Sequence, residues 1–133
     1  RKEEVTRQSF TVDIRRALIV TSNRTAHTWL RKKTREWWKQ VVPDLAPMGR
    51  ANVYVGITKR TRGRYDPANL TDTFKGCVDQ LVTNGVLEDD DYTHVTGPLV
   101  YHEAVDRDVP KETVRARVTL TPYASILEEG DCE

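Results

Sequence analysis

The chain has 133 residues, of which 31% are charged and 38% hydrophobic, and its formal net charge is +1. That length suits one domain with a single core, and no apolar run approaches the length of a membrane span. The only cysteines, Cys77 and Cys132, do not make a disulfide framework, and without a CxxC pair they argue against a zinc site. We therefore expect a reduced, cytoplasmic protein with no membrane partner, and frayed ends at 1–8 and 124–133.

In chain order the residue pattern predicts strand, helix, strand, helix, strand, strand. β-Branched and alternating segments indicate the strands, and segments with a single apolar stripe between breaker residues indicate the helices. Strands are predicted at 9–20, 51–58, 92–101 and 112–121, and helices at 25–42 and 67–84. This order favours an α+β domain with one mixed β-sheet and helices packed on it.

The first predicted helix has an apolar side and a basic side. We expect Trp37 on its inner face and Trp29 and Trp38 flanking that face, either in the core or in a dimer interface. The inner face is completed by Ala26, Leu30 and Val41, and the basic side carries Arg31, Lys32, Arg35 and Lys39.

A turn, a helix and a second turn make up the segment 66–91. Asp66 precedes a proline, which suits the N-cap of a helix, and Gly85 is a typical residue just beyond a helix end. The predicted core stripe is Leu70, Phe74, Cys77, Val78 and Leu81, and the opposite side carries Asp72, Lys75 and Asp79. Spacing alone does not bring Asp66 close to the acidic turn at 88–91.

Charges are sorted along the chain although the total is near zero. Residues 24–64 carry eleven Lys or Arg and two acidic residues, and residues 65–108 carry two Lys or Arg and ten acidic residues. Basic side chains attract phosphates, and clustered carboxylates attract a hard divalent cation. The arrangement suits a protein that holds a polyanion beside metal ions, and the alternative is two solvated faces that neutralise each other.

The basic residues before Asp66 form a loop without interleaved aromatic residues, which suits binding to the phosphate backbone more than base recognition. The candidate phosphate contacts are Lys59, Arg60, Arg62 and Arg64 in this loop, Arg24 after the first strand, and Arg31 and Arg35 on the first helix. Tyr65 is expected either to stack on a base or to pack.

The motif Asp66-x-x-Asn69-Leu70, Lys75, Asp79-x-Leu81, Gly85-x-x-x-Asp89-Asp90 resembles the signature of RusA-type Holliday junction resolvases. The resemblance extends in element order from about residue 10 to residue 121. It implies a small phage or prophage endonuclease that acts on four-way DNA junctions as a homodimer, with Mg²⁺ or Mn²⁺, in DNA recombination and repair. It also implies the cytoplasm of a bacterium or of a phage-infected cell.

The resemblance assigns site residues by matching positions. The implied metal ligands are Asp66, Asp89 and Asp90, and the implied catalytic residues are Asp66, Asn69, Lys75, Asp79 and Asp90. Lys75 would neutralise phosphate charge or orient a water, and Asp79 would support the ligands or pair with Lys75. Taken singly, Asp66 reads as an N-cap, 89–91 as a solvated turn, and Lys75 with Asp79 as a surface ion pair.

Ala68 stands where the family has a second aspartate, and Asn69 and Lys75 are farther apart than in the best-known bacterial members. The missing carboxylate is either absent or supplied by Asp72, Asp89 or a neighbour. Two alternatives to a junction resolvase therefore stay open. One is a non-catalytic DNA-binding module of the same fold, and the other is a metal-dependent nuclease for flaps or other branched or damaged DNA.

Overall fold

One mixed sheet of four strands, in the order β1-β4-β2-β3, forms the centre of the molecule. The computed structural model describes residues 6–20 and 28–124. Its strands are β1 (Gln8–Arg15), β2 (Ala51–Lys59), β3 (Val95–Val105) and β4 (Thr113–Pro122), and its helices are α1 (Thr28–Val41) and α2 (Thr71–Thr83). The predicted α+β class and the predicted order of elements are confirmed.

Strand β2 lies in the interior of the sheet. It pairs parallel with β3 and antiparallel with β4, and β4 also pairs antiparallel with β1. Its side chains Val53, Val55 and Ile57 alternate with more polar ones and are at most 1% exposed. A parallel β2–β3 pair needs a crossover, and α2 lies in the connection between these two strands.

Helix α1 buries one side through residues spaced four apart in the sequence. Leu30, Thr34 and Trp38 are buried along one stripe, and the ring centres of Trp37 and Trp38 lie 4.8 Å apart. The prediction that Trp37 lies inside and Trp38 on the flank is wrong, since Trp38 is 0% exposed and Trp37 is only half-buried. Trp29 is 59% exposed, which fits its predicted place on the flank.

Helix α2 begins later than predicted, because a short 3₁₀ turn, Pro67–Leu70, precedes it. Asp66 caps that turn as expected, with its carboxylate accepting a 3.0 Å hydrogen bond from the Ala68 N–H. The predicted stripe is confirmed from Phe74 to Leu81, and Leu70 packs against the core while partly exposed. Gly85 has φ of 83°, the left-handed conformation that ends the helix.

The strand boundaries and the chain ends differ in places from the prediction. Strand β1 stops at Arg15 and a 3₁₀ turn, Arg16–Leu18, follows. Gln8 is not frayed, because it starts β1 and its side chain exchanges two 2.8 Å hydrogen bonds with the backbone of Ala46. Ala124 is held as well, through a 3.2 Å hydrogen bond to the Asn52 side chain.

Within the described residues, no helix combines the length and the apolar character needed to cross a membrane.

Candidate functional site

A cleft of about 180 Å³ lies between α1 and α2, and its walls carry charges of both signs. Arg31 and Arg35 line it from α1, and Asp72, Lys75 and Asp79 line it from α2. Two predicted DNA contacts and two predicted catalytic residues therefore meet in one place. They come from helices separated by 29 residues of chain, so only packing brings them together.

Trp38 fixes the distance between the two helices. Its indole Nε1 donates a 2.9 Å hydrogen bond to the Thr73 carbonyl, and its ring lies 5.6 Å from that of Phe74. Gly76 lets the indole lie against α2, because a Cβ at this position would be 2.8 Å from Trp38 Cδ1. The cleft is therefore held by a buried contact beneath its charged walls.

The floor of the cleft is tied to the segment after β1. The Thr73 hydroxyl accepts a 2.8 Å hydrogen bond from the Val20 N–H and lies 2.8 Å from the Val20 carbonyl, to which it donates. The Thr34 hydroxyl donates a 2.8 Å hydrogen bond to the Leu18 carbonyl. Both threonines are buried, and these bonds satisfy their hydroxyls there.

Lys75 makes its ion pair with Asp72, one turn earlier on α2, at 3.4 Å. The predicted alternative, an ion pair between Lys75 and Asp79, is not observed. Since the Lys75 side chain stays 67% exposed, the ammonium remains available to an incoming phosphate. The Asp79 carboxylate instead acts through its charge on residues of the acidic turn.

The acidic turn at 88–91 follows α2. Partial desolvation, a hydrogen bond with the Asp89 carboxyl, and the charges of Asp79 and Asp89 together raise the pKa of Asp90. The Asp90 N–H also donates a 2.7 Å hydrogen bond to Asp89 Oδ1. Crowded carboxylates of this kind suit a divalent cation, because its charge would offset their mutual repulsion. Charge links Asp79, Asp89 and Asp90, but in the described part of the chain their carboxylates do not form a group with ligand atoms within 4.8 Å of one another.

Asp91 belongs to the same turn but has a structural use. Its Oδ1 accepts hydrogen bonds from the Thr93 N–H at 3.1 Å and the Thr93 hydroxyl at 2.6 Å, and it lies 2.8 Å from His94 Nδ1. These contacts lower the pKa of Asp91 and raise that of His94. Asp89, Asp91 and His94 each place one possible ligand atom within 4.8 Å of the others, but they are a surface group whose hydrogen bonds already account for its shape.

Asp66 is the predicted metal ligand that the structure does not link to the acidic turn. Its carboxylate is exposed and accepts the capping bond from Ala68, and its carbonyl accepts a 3.0 Å bond from the Asn69 N–H. In the described part of the chain, no hydrogen bond or ion pair joins Asp66 to Asp89 or Asp90. Ala68 is exposed beside it, so no carboxylate stands at the position where the family has its second aspartate.

The predicted basic loop borders two clefts of about 670 Å³ each, which share Thr61, Arg62 and Val105. We call the two together the basic groove. Its polar walls are Arg60, Arg62, Arg64, Tyr65, His102 and Arg107. Arg62 and Arg64 are exposed, so both guanidinium groups are accessible from solvent.

Arg60 and Lys59 also have structural contacts. Arg60 Nη1 donates to the carbonyls of Arg107 at 3.0 Å and Val109 at 2.9 Å, which ties the loop to the connection between β3 and β4. Lys59 Nζ lies 4.3 Å from the centre of the Tyr65 ring, and burial together with the charge of Arg16 lowers the Lys59 pKa. Arg24, the remaining predicted contact, lies outside the described residues.

Sequence reasoning missed Arg107 and His102 as members of this surface. Arg107 sits among acidic residues in the sequence, and His102 is an isolated histidine. The only available signal was that β3 and β4 are consecutive in the sequence, so that their connection must lie at an end of the sheet. That signal does not identify which loop lies beside it.

No protein-family model matches this sequence, and no curated protein matches it either. The similarity to RusA-type resolvases therefore rests on the residues quoted above and on the order of elements.

Proposed function

We propose that this protein is a Mg²⁺-dependent endonuclease that resolves four-way DNA junctions by paired nicks, in recombination and repair. The observation that carries the proposal is the cleft between α1 and α2. There Arg31 and Arg35 lie with Lys75 and Asp79, and Asp79 is electrostatically coupled to Asp90. Cations for a phosphate beside carboxylates for a metal are the groups that phosphodiester hydrolysis requires.

Each group has a separate task in this proposal. When bound, Mg²⁺ or Mn²⁺ supplies an activated water and offsets charge on the phosphate. Asp89 and Asp90 would hold it, supported by Asp79, and Asp66 is the third ligand that the family resemblance implies. Lys75 would donate to a phosphate oxygen from the exposed side of α2. Asn69 is retained as a catalytic candidate on the resemblance alone.

Arg31 and Arg35 would orient the phosphate from the opposite wall of the cleft. A guanidinium suits this task because its fork of N–H donors matches two phosphate oxygens at once. Lys59, Arg60, Arg62 and Arg64, with Arg24, would bind phosphates farther along the DNA. The basic block of the sequence would thus contribute both to the reaction and to substrate binding.

A homodimer is part of the proposal. A four-way junction has approximate two-fold symmetry, and one active site per chain makes two nicks only if two chains are related by a two-fold axis. Sedimentation equilibrium at micromolar concentration is expected to give twice the chain mass. A strict monomer, alone and on junction DNA, would remove the basis for paired nicks. The proposed location is the cytoplasm of a bacterium or of a phage-infected cell.

A non-catalytic DNA-binding module is the second candidate, and Ala68 is the observation that favours it. An exposed methyl group at this position cannot bind a metal, and Asp66 beside it is occupied as an N-cap. Such a module would keep the cationic surfaces and lose the reaction.

One assay separates the candidates. Labelled four-way junction, flap and linear duplex of matched sequence are each incubated with the protein, with Mg²⁺ and with chelator. Symmetric nicks on the junction alone, dependent on Mg²⁺, are the expected result. Junction binding without cleavage at any Mg²⁺ or Mn²⁺ concentration would favour the binding module, and equal cutting of flaps would assign a broader nuclease.

A further inference from the structure

We propose, resting on the function given above, that the basic groove holds one strand of the DNA substrate and that His102, positioned by Tyr65, donates a hydrogen bond to a phosphate of that strand. The groove was defined above by Arg60, Arg62, Arg64, Tyr65, His102 and Arg107. The proposal adds a path for the strand and a pair of residues outside the family signature.

The chemistry of the walls selects a polyanion. Arginines line the groove along its length, and none of its described lining residues is acidic. Pro67, Val105 and the Tyr65 ring add apolar surface between these cations. Successive cations along a groove match successive phosphates of a nucleic-acid strand.

The groove reaches the segment that begins with Asp66. Pro67 lines one end of it and is adjacent to Asp66, the implied metal ligand. Arg107 lines the other end, on the connection between β3 and β4. A strand held along the groove would therefore approach the segment that starts with Asp66.

The far wall is held in place by the protein itself. The two hydrogen bonds from Arg60 to the Arg107 and Val109 carbonyls join the loop to the β3–β4 connection, and Val109 is fully buried. Asp106 N–H also donates a 2.8 Å hydrogen bond to the Lys59 carbonyl. Because these bonds form without DNA, the strand would meet cations that are already arranged.

Tyr65 and His102 form a pair across the groove. The Tyr65 hydroxyl lies 2.6 Å from His102 Nδ1, and the two rings meet edge to face with centres 5.5 Å apart. Burial raises the pKa of Tyr65, so the phenol stays protonated and its hydroxyl donates a hydrogen bond to His102 Nδ1. In that tautomer Nε2 carries the ring hydrogen, and an exposed imidazole N–H is a donor for a phosphate oxygen.

The experiment measures junction binding in chelator, so that cleavage does not interfere, over a range of salt concentrations. The variants are His102→Phe, which removes the donor, His102→Gln, which keeps an N–H near the Nε2 position, and Tyr65→Phe, which removes the orienting hydroxyl. Arg62→Glu tests the groove, and Arg7→Glu is its charge-matched control. Arg7 is exposed and precedes β1, at the edge of the sheet opposite β3. Thermal melts accompany every variant.

We expect His102→Phe to weaken binding about tenfold, which corresponds to about 1.4 kcal/mol. The slope of log affinity against log salt should change less than in Arg62→Glu, because His102→Phe leaves every arginine of the groove in place. His102→Gln should recover part of the affinity, and Tyr65→Phe should weaken binding less than His102→Phe. Arg62→Glu should lower the slope by about 0.7 to 0.9 for each phosphate that is no longer neutralised, and Arg7→Glu should change neither quantity.

Wild-type affinity in either His102→Phe or Arg62→Glu would overturn the proposal, as would equal reductions of affinity in Arg62→Glu and Arg7→Glu. His102→Phe could also lower the melting temperature. In that case, a His102→Gln variant with wild-type stability but no recovery of affinity would also overturn the proposal. Binding with these expected effects but no cleavage with any metal would leave the groove assignment standing and overturn the proposed enzyme. Normal junction cleavage by the wild-type protein, together with an unchanged affinity of His102→Phe, would support the proposed enzyme and overturn the groove assignment.

Discussion

The α1–α2 cleft and the basic groove use the same kinds of charged side chain in opposite ways. In the cleft, Arg31 and Arg35 lie across from acidic residues, and the walls are two helices packed through Trp38. In the groove, arginines line both walls and the walls are held by backbone carbonyls that Arg60 binds. A cleft of mixed sign suits chemistry on one phosphate, whereas a groove of one sign suits holding a strand.

This difference shows that the basic block of the sequence is not one surface. Its helical part, with Arg31 and Arg35, lies with the carboxylates of α2, and its loop part, 59–64, lies beside β3. The block is contiguous in sequence, but β2 runs between these two parts and carries them to different places. Variants in the two regions should therefore separate cleavage from binding.

The largest expected effect is on the acidic side. Asp90→Asn removes one charge with almost no change in volume, and we expect it to lower the single-turnover rate of junction cleavage by more than about a hundredfold. Junction affinity in chelator should be kept or slightly increased, because repulsion toward phosphate is reduced.

Asp91→Asn is the matched control, since it lies in the same turn and its carboxylate is used for Thr93 and His94. It should cut within a few fold of wild type. Near-normal cleavage by Asp90→Asn would show that Asp90 does not bind the metal, and equal reductions in both variants would point to the turn's shape instead.

The next largest effect should be on binding. The triple variant Arg60→Glu, Arg62→Glu, Arg64→Glu should weaken junction affinity strongly and lower the salt slope by about 0.9 for each phosphate on the duplex arms that is no longer neutralised. Measured at saturating protein, its cleavage rate should change less than its affinity.

Arg60 differs from the other two because it holds the β3–β4 connection. Arg60→Ala alone should lower the melting temperature, while Arg62→Glu and Arg64→Glu should not. An unchanged salt slope in the triple variant would move the DNA-binding surface away from the loop, with Arg31 and Arg35 as the next candidates.

A smaller effect tests the packing that supports the cleft. Trp38→Phe leaves the Thr73 carbonyl without its indole donor in a buried place, and we expect the free energy of unfolding to fall by about 1 to 3 kcal/mol. Tyr92→Phe, at a side chain that is 84% exposed, should stay within about 0.5 kcal/mol.

Urea unfolding measures both values, and DNA assays below the transition extend the test. Trp38→Phe should reduce cleavage while the salt slope of binding stays near wild type, because the groove does not depend on the contact between α1 and α2. Equal reduction of both activities would contradict a separation of the two regions.

A fourth prediction concerns pH and uses the raised pKa of Asp90. Between the unfolded and folded pKa values the folded state binds more protons than the unfolded state, so stability falls as pH rises through this window. Without metal, Asp90→Asn should therefore melt slightly higher than wild type at pH 7, and the two should converge below the ordinary aspartate range.

Mg²⁺ should reverse that order. A cation bound by the folded state raises the wild-type melting temperature, and Asp90→Asn should respond less. Differential scanning fluorimetry with Mg²⁺ and with chelator measures both effects. An identical response of the two proteins to Mg²⁺ would remove Asp90 from the proposed metal site.

The smallest expected effect is a gain. Ala68→Asp restores the carboxylate of the family pattern at an exposed position and should lower the Mg²⁺ concentration needed for half-maximal cleavage. Ala68→Asn is the uncharged control. A higher Mg²⁺ requirement in Ala68→Asp would mean that another carboxylate already occupies that role and that the new charge repels it.

Local patterns alone determined much of this protein. The period of Phe74, Cys77, Val78 and Leu81 predicted the buried face of α2, and the Asp66-Pro67 pair and Gly85 predicted where the helical segment begins and ends. Alternation along β2 predicted a strand in the same way. These features depend on steric preferences and on neighbours within a few residues, so the sequence alone is enough to predict them.

Tertiary structure decided the rest. Trp37 and Trp38 are adjacent and equally apolar, and α2 accommodates Trp38 through the space at Gly76 and the Thr73 carbonyl. Lys75 has carboxylates on both sides along α2, and side-chain geometry selects Asp72. Arg31 and Asp79 line one cleft, and His102 contacts Tyr65, through packing between segments that are distant in the chain. No local period in the sequence predicts such contacts, because they depend on how whole elements pack against one another.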